Sequence, residues 1–232
     1  MRIVRIIALF ILAGLGASFP LAAAAQPACP WVRLEEAGDL KVALQGAENT
    51  ARDDQATAGR RLAALYALGM WHKSLGNLDQ ALDYLDRLLE INPAHGAGLL
   101  ARGDLFLRMR YANRAVADYT RASWAMPEAA GPLLGRARAW LALGRRTNAG
   151  QDLADAANKE PDNPDAHFAL GRFWEIEGYW QKARASYRVA GQLLDSERVG
   201  EALRRVEEIL IRGGVARRPA MDSDAGPAEP EF

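Results

Sequence analysis

The chain has 232 residues, half of them apolar and a quarter charged, with 29 basic and 29 acidic side chains. That length fits one domain, and the balanced charge leaves no electrostatic footprint for nucleic acid and no like-charged binding arm. A single cysteine, Cys29, excludes an internal disulfide framework.

In chain order, residues 1–25 read as an export signal. Arg2 and Arg5 form a positive start, residues 6–15 are a short apolar core, Pro20 breaks it, and Ala23, Ala24 and Ala25 supply small residues for cleavage before Gln26. The uncharged run 6–28 is also long enough to span a bilayer as a retained anchor. Pro20 and the alanines favour cleavage, after which the balance is 27 basic to 29 acidic. A simple signal of this form points to a bacterial envelope, so the expected location is periplasmic. Lipid attachment at Cys29 is the membrane-bound alternative, but Gln26 stands where an apolar residue is wanted and Pro27 fits poorly.

Residues 26–61 read as an N-terminal arm or helical cap, with Leu34, Ala37, Leu40 and Leu44 at helical spacing and a polar stretch at 49–55. A strict period follows. Pro93, Pro127 and Pro161 are 34 apart, and so are Ala81, Ala115, Ala149 and Ala183. Small residues recur at Gly69, Gly103, Ala137 and Gly171, and large ones at Leu85, Tyr119, Leu153 and Tyr187. Periods of this length mark stacked supersecondary units. The units are 62–95, 96–129, 130–163 and 164–195. Gly76, Gly144 and Gly178 suit the left-handed turn that closes a first helix, and proline stops the second. Arg110 stands at the turn position of the second unit, which must close differently or carry mild strain.

Each unit resembles the tetratricopeptide repeat, two helices joined by a tight turn. The residues that carry the resemblance are Leu65, Leu68, Gly69, Gly76, Asn77, Leu78, Ala81, Leu85 and Pro93 in the first unit. In the fourth they are Leu170, Gly171, Trp174, Gly178, Tyr179, Trp180, Ala183 and Tyr187. The fold implied is all-α, a right-handed α-solenoid of stacked hairpins. Arg102 and Arg136 stand where the family usually has leucine, which implies looser packing there or side chains that snorkel with their heads in water. Val199, Ala202, Leu203, Val206, Ile209 and Leu210 form an apolar stripe, so residues 196–212 read as a C-terminal capping helix with Ser196 at its start and Gly213 at its end. Residues 213–232, rich in Pro, Gly, Ala and acids, read as a disordered tail.

Catalytic chemistry is not visible in the sequence. His72, His95 and His167 occupy different repeat positions with no second ligand at metal spacing, and there is no phosphate-cradling loop or nucleophile elbow. No cofactor or metal is expected, and the chain reads as a non-enzyme. Trp140 and Trp174 share a repeat position, where packing between helices explains them better than an aromatic cage; Trp71 and Trp180 are less fixed by the register.

The resemblance implies that first helices line a concave groove. Its side chains are then Tyr66, Met70 and Lys73; Leu100, Asp104, Leu107 and Arg108; Leu134, Arg138 and Leu141; and Phe168, Arg172 and Glu175. Apolar anchors beside arginine suit a protein or peptide partner, an amphipathic helix or extended segment. Tyr66 and Met70 occupy places that carboxylate-gripping members fill with Lys and Asn, which argues against that specificity. The function expected is an exported adaptor or scaffold. The alternative is a membrane-associated assembly factor for an envelope complex, a secretion system or cytochrome maturation, with membrane contact through Cys29 or an uncleaved signal.

Overall fold

The computed structural model describes residues 37–213. Residues 1–25, read above as a signal, Cys29, and all but Gly213 of the 213–232 stretch read as a tail lie outside the described residues. Every regular element within them is an α-helix, and the fold is an α-solenoid of helical hairpins. The chain divides into two compact units, Met1–Met109 and Arg110–Phe232.

The first unit holds α1 (Ala37–Arg52), α2 (Ala58–Leu75), α3 (Leu78–Ile91) and α4 (Gly96–Arg108). Thr57 caps α2 by accepting from the Arg60 amide, so that helix begins four residues ahead of Leu62. Gly76, at φ 80°, ends it and returns its amide to His72 and Lys73. The next helix, α3, packs antiparallel beside α2, and α4 packs against both. Ala81, Leu85, Ala101 and Leu105 form the shared core. A Cβ on Gly69 would lie 3.0 Å from Leu85, which is why this position is small. The second connection is capped by His95, whose Nδ1 accepts from the Gly98 amide at 3.0 Å.

The second unit holds α5 (Ala112–Ala125), α6 (Ala130–Ala142), α7 (Arg146–Lys159), α8 (Pro164–Ile176), α9 (Trp180–Leu193) and α10 (Glu197–Ile211). Helices adjacent in sequence pack on one another, and α6 also touches α8. Tyr119 and Tyr187 are fully buried, each against a glycine; a Cβ on Gly135 would meet the Tyr119 ring at 2.4 Å, and one on Gly171 the Tyr187 ring at 2.6 Å. The final helix covers the end of the unit with Val199, Ala202 and Val206, which join Phe168, Ala183, Tyr187 and Ala190 in one cluster. Ser196 precedes α10 but its hydroxyl makes no capping bond; the helix start is held by the Ser196 carbonyl instead.

The 34-residue period is visible in the helix starts. Those of α3, α5, α7 and α9 fall at 78, 112, 146 and 180, and those of α4, α6 and α8 at 96, 130 and 164. Pro93, Pro127 and Pro161 each stand two residues beyond a helix end. Arg110 takes φ 67° where the matching turns have Gly76, Gly144 and Gly178 at 80°, 76° and 75°. It is the one non-glycine residue at positive φ among the described residues, so that turn closes in the same way at a strain of about 1 kcal/mol.

Looser packing at Arg102 and Arg136 is not what the structure has. Both guanidinium heads are paired. Arg136 bonds both oxygens of buried Asp152 at 2.7 and 2.8 Å and the Thr120 hydroxyl at 3.2 Å, tying α5, α6 and α7 together. Arg102 reaches Asp86 at 2.8 Å and lies over the Phe106 ring. An aspartate within reach turns a solvent-seeking head into a cross-helix tie.

Candidate functional site

The residues read as a groove are distributed over the two units. In the first unit they are largely engaged with one another. Lys73 on α2 and Asp104 on α4 form an ion pair at 2.7 Å, both mostly covered. Arg108 donates to the Lys73 carbonyl at 3.1 Å. Tyr66 and Met70 are half-buried against the α2–α3–α4 core, and the Tyr66 ring lies 5.9 Å from His95. Burial, with the Asp104 charge adding to it, pushes the Tyr66 hydroxyl above its ordinary pKa. Leu100 and Leu107 are half-buried on α4. Arg108 is exposed, and the other face positions of this unit are half-buried.

The second unit differs. Arg138 on α6 and Arg172 on α8 are exposed, at matching places 34 residues apart. Leu141, farther along α6, is 41% exposed, and Leu134 is half-buried against the cluster of Ala130, Leu133, Ala156, Ala157 and Ala166. Phe168 departs from the sequence reading. It is 9% exposed, packed in the terminal cluster with Tyr187 and Val199, with Arg198 stacked 4.3 Å over its ring. The reason is α10, which covers this position in the last hairpin. Glu175 is engaged as well. It accepts from the Tyr187 hydroxyl and from Arg205 of α10 at 2.6 and 3.0 Å. Burial alone would raise the Glu175 pKa, but the Arg205 and Tyr187 bonds bring it below the usual value.

Sequence reasoning missed Arg205, whose bond to Glu175 places it beside the first-helix face. The signal available was its place on an apolar-striped helix following the last repeat. It also missed Trp124, 75% exposed on α5 where the same position elsewhere holds Glu90, Asn158 and Gln192. Trp71 and Trp180 are both partly buried. Trp140 and Trp174 are covered by cations of the chain itself: Arg145 lies 5.3 Å over Trp140, and the Lys182 ammonium 4.4 Å over Trp174. Among the described residues no group of three or more His, Cys, Asp or Glu is disposed to hold a metal ion. No helix among them is long and apolar enough to cross a membrane.

The family model for the tetratricopeptide repeat matches residues 62–95. The chain carries one match to this repeat, over its first 34-residue unit. Solved structures of tetratricopeptide-repeat proteins share its fold. A thermophilic TPR protein of Thermus thermophilus is 22% identical with a TM-score of 0.58, over 75% of this chain and 92% of that one. MamA is 17% identical with a TM-score of 0.56, over 66% of this chain and 83% of that one. YrrB, described as a TPR protein with an unusual peptide-binding site, is 15% identical with a TM-score of 0.54, over 74% and 84%. No curated protein matches the sequence. In this repeat protein the register positions that make the fold are used up in packing. The repeat match and the fold support a protein–protein interaction scaffold in general.

Proposed function

We propose that this protein is an exported, non-catalytic adaptor that holds a protein segment on the first-helix face of its second unit. Arg138 and Arg172 supply the charge-assisted contacts, and Leu134 and Leu141 the apolar ones. The observation that supports the reading is the exposure of Arg138, Arg172 and Leu141 on α6 and α8, two helices that touch. Arginine with an apolar neighbour is the composition of a binding hot spot. A peptide-binding site in YrrB, a protein of the same fold, supports a peptide-like ligand here. Export to the envelope rests on residues 1–25, and the mass of the mature N-terminus tests it: a chain starting at or near Gln26 is expected, and a lipidated Cys29 would move the protein to the membrane.

The binding reading is tested by capture from an envelope extract. Arg138→Glu with Arg172→Glu is expected to abolish capture and leave the helical circular dichroism unchanged. Capture that persists in the double variant refutes the assignment.

A further inference from the structure

We propose that one edge of the second unit docks reversibly on the surface of an anionic lipid bilayer. The hairpins build that edge. Short connections make helices adjacent in sequence antiparallel, so α6, α8 and α10 end where α5, α7 and α9 begin. There, the terminal turns and connections carry Arg110, Arg114, Arg145, Arg146, Lys182 and Arg212 against Glu175, Glu177 and Glu208. At the opposite edge the same stretches carry Glu128, Glu160, Asp162, Asp165, Asp195 and Glu197 against Lys159 and Arg198. The unit is polarised, although the whole chain holds 29 charges of each sign. All three acids of the basic edge are already paired: Glu175 with Arg205, Glu177 with Arg146 and Glu208 with Arg212. Arg114 is engaged within the unit, over the Tyr111 ring. Arg110, Arg145 and Lys182 are exposed, and no carboxylate among the described residues pairs with them. Arg145 lies over Trp140, and Lys182 over Trp174 and Tyr179. A ring face orients a cation without cancelling its charge.

Apolar side chains stand between those cations. Tyr111 follows Arg110 and is 50% exposed, Ile176 at the end of α8 is 63% exposed, and Ile211 at the end of α10 is 84% exposed. Helices α8 and α10 both pack on α9, and packed neighbours lie about 10 Å apart, so these side chains stand singly among charges. A folded protein partner wants a contiguous apolar centre with a polar rim. A negatively charged headgroup layer is fluid. It takes single aliphatic and aromatic side chains between lipids, and it attracts cations that come within a Debye length. The chain beyond Gly213 departs from this same edge. Val215, Arg217 and Arg218 follow within an extended reach of about 17 Å, adding one apolar and two basic side chains. Docking through the hairpin ends leaves the partner-binding set Arg138, Arg172, Leu134 and Leu141 out of the contact, so the two readings stand or fall separately.

The test is flotation of the chain from Gln26 onward, the expected mature form, with vesicles of phosphatidylcholine alone or mixed equally with phosphatidylglycerol. Wild type is expected to float with the anionic vesicles at low salt, to lose most of that binding at high salt, and to stay behind with the neutral vesicles. Arg110→Gly, Arg145→Gln and Lys182→Gln together are expected to weaken partition at least about tenfold, with circular dichroism unchanged. Glycine suits position 110, where φ is 67°. Ile176→Ser with Ile211→Ser is expected to weaken partition while its salt dependence persists. Glu128→Gln, Asp162→Asn and Asp195→Asn, on the acidic edge, are expected to leave it undiminished. No flotation with anionic vesicles overturns the proposal, as does equal flotation with neutral ones or a triple basic-edge variant that floats like wild type. A lipid-free assembly of wild type that this triple variant no longer forms also overturns it, since the acidic edge of a second copy would then be the occupant.

Discussion

The two units build the same hairpin with different contacts at matching positions. In the first, Gly69 faces Leu85, a flexible side chain 3.0 Å from the Cβ an alanine would bring; in the second, Gly171 faces the rigid Tyr187 ring at 2.6 Å. In the first, Lys73 and Asp104 form an ion pair at 2.7 Å and Arg108 is exposed; in the second, Arg138 and Arg172 are exposed. The caps differ too, with His95 starting α4 and Asn163, at the matching position, starting α8. The repeat prescribes size and shape at these positions and leaves their chemistry open.

The comparison breaks most sharply at the buried large position. Tyr187→Ala is expected to cost about 4 kcal/mol and Leu85→Ala about 3 kcal/mol in urea denaturation. The tyrosine loses more because its hydroxyl also holds Glu175. Next is the tie at Arg136. Arg136→Leu leaves buried Asp152 uncompensated and is expected to cost about 3 kcal/mol. Arg136→Leu with Asp152→Leu is expected to recover most of that loss, since an apolar pair of similar volume needs no charge partner.

A smaller effect sharpens the glycine contrast. Gly171→Ala is expected to destabilise by about 2 kcal/mol through overpacking. Gly69→Ala is expected to fall near zero, because a gain of about 1 kcal/mol in helix propensity offsets a small shift of Leu85. Equal costs at the two sites would remove the distinction between ring and aliphatic neighbour.

The smallest effect is in pH. His95 must be neutral to accept from Gly98, and burial holds its pKa below the ordinary 6.5. Its contribution is complete above pH 6.5 and is lost as pH falls from there through the folded value. In the second unit, Glu160 accepts from the Ala130 amide and from Asn163. These bonds hold its pKa below 4.5, so its contribution is lost only as pH falls below that. Amide exchange should therefore show α4 loosening first on acidification. His95→Asn is expected to abolish the difference while keeping a cap worth about 1 kcal/mol.

The fold was legible because the period is carried by residues with one local job each. Prolines end helices, Gly76, Gly144 and Gly178 close turns, and the alanine series allows close approach. Contacts between helices were less legible. Arg136 meets Asp152 and Thr120, each 16 residues away along the chain, and a periodic reading of one helix does not place those neighbours. Phe168 shares its register with Leu134, but only the last hairpin is covered by α10, so the same position changes from face to core. Gly135 is off the repeat signature and could be understood only once the Tyr119 ring was seen against it. Arg205 was hidden because it lies beyond the last repeat.

The central claim is that the second unit carries the receptive face, and one measurement decides it. Capture from envelope extract is compared for wild type, for Arg138→Glu with Arg172→Glu, and for the swapped pair Lys73→Asp with Asp104→Lys, which keeps the first unit's ion pair in reverse. The account predicts that the arginine variant loses capture while the swapped pair retains it. Loss in the swapped pair with capture intact in the arginine variant would contradict it.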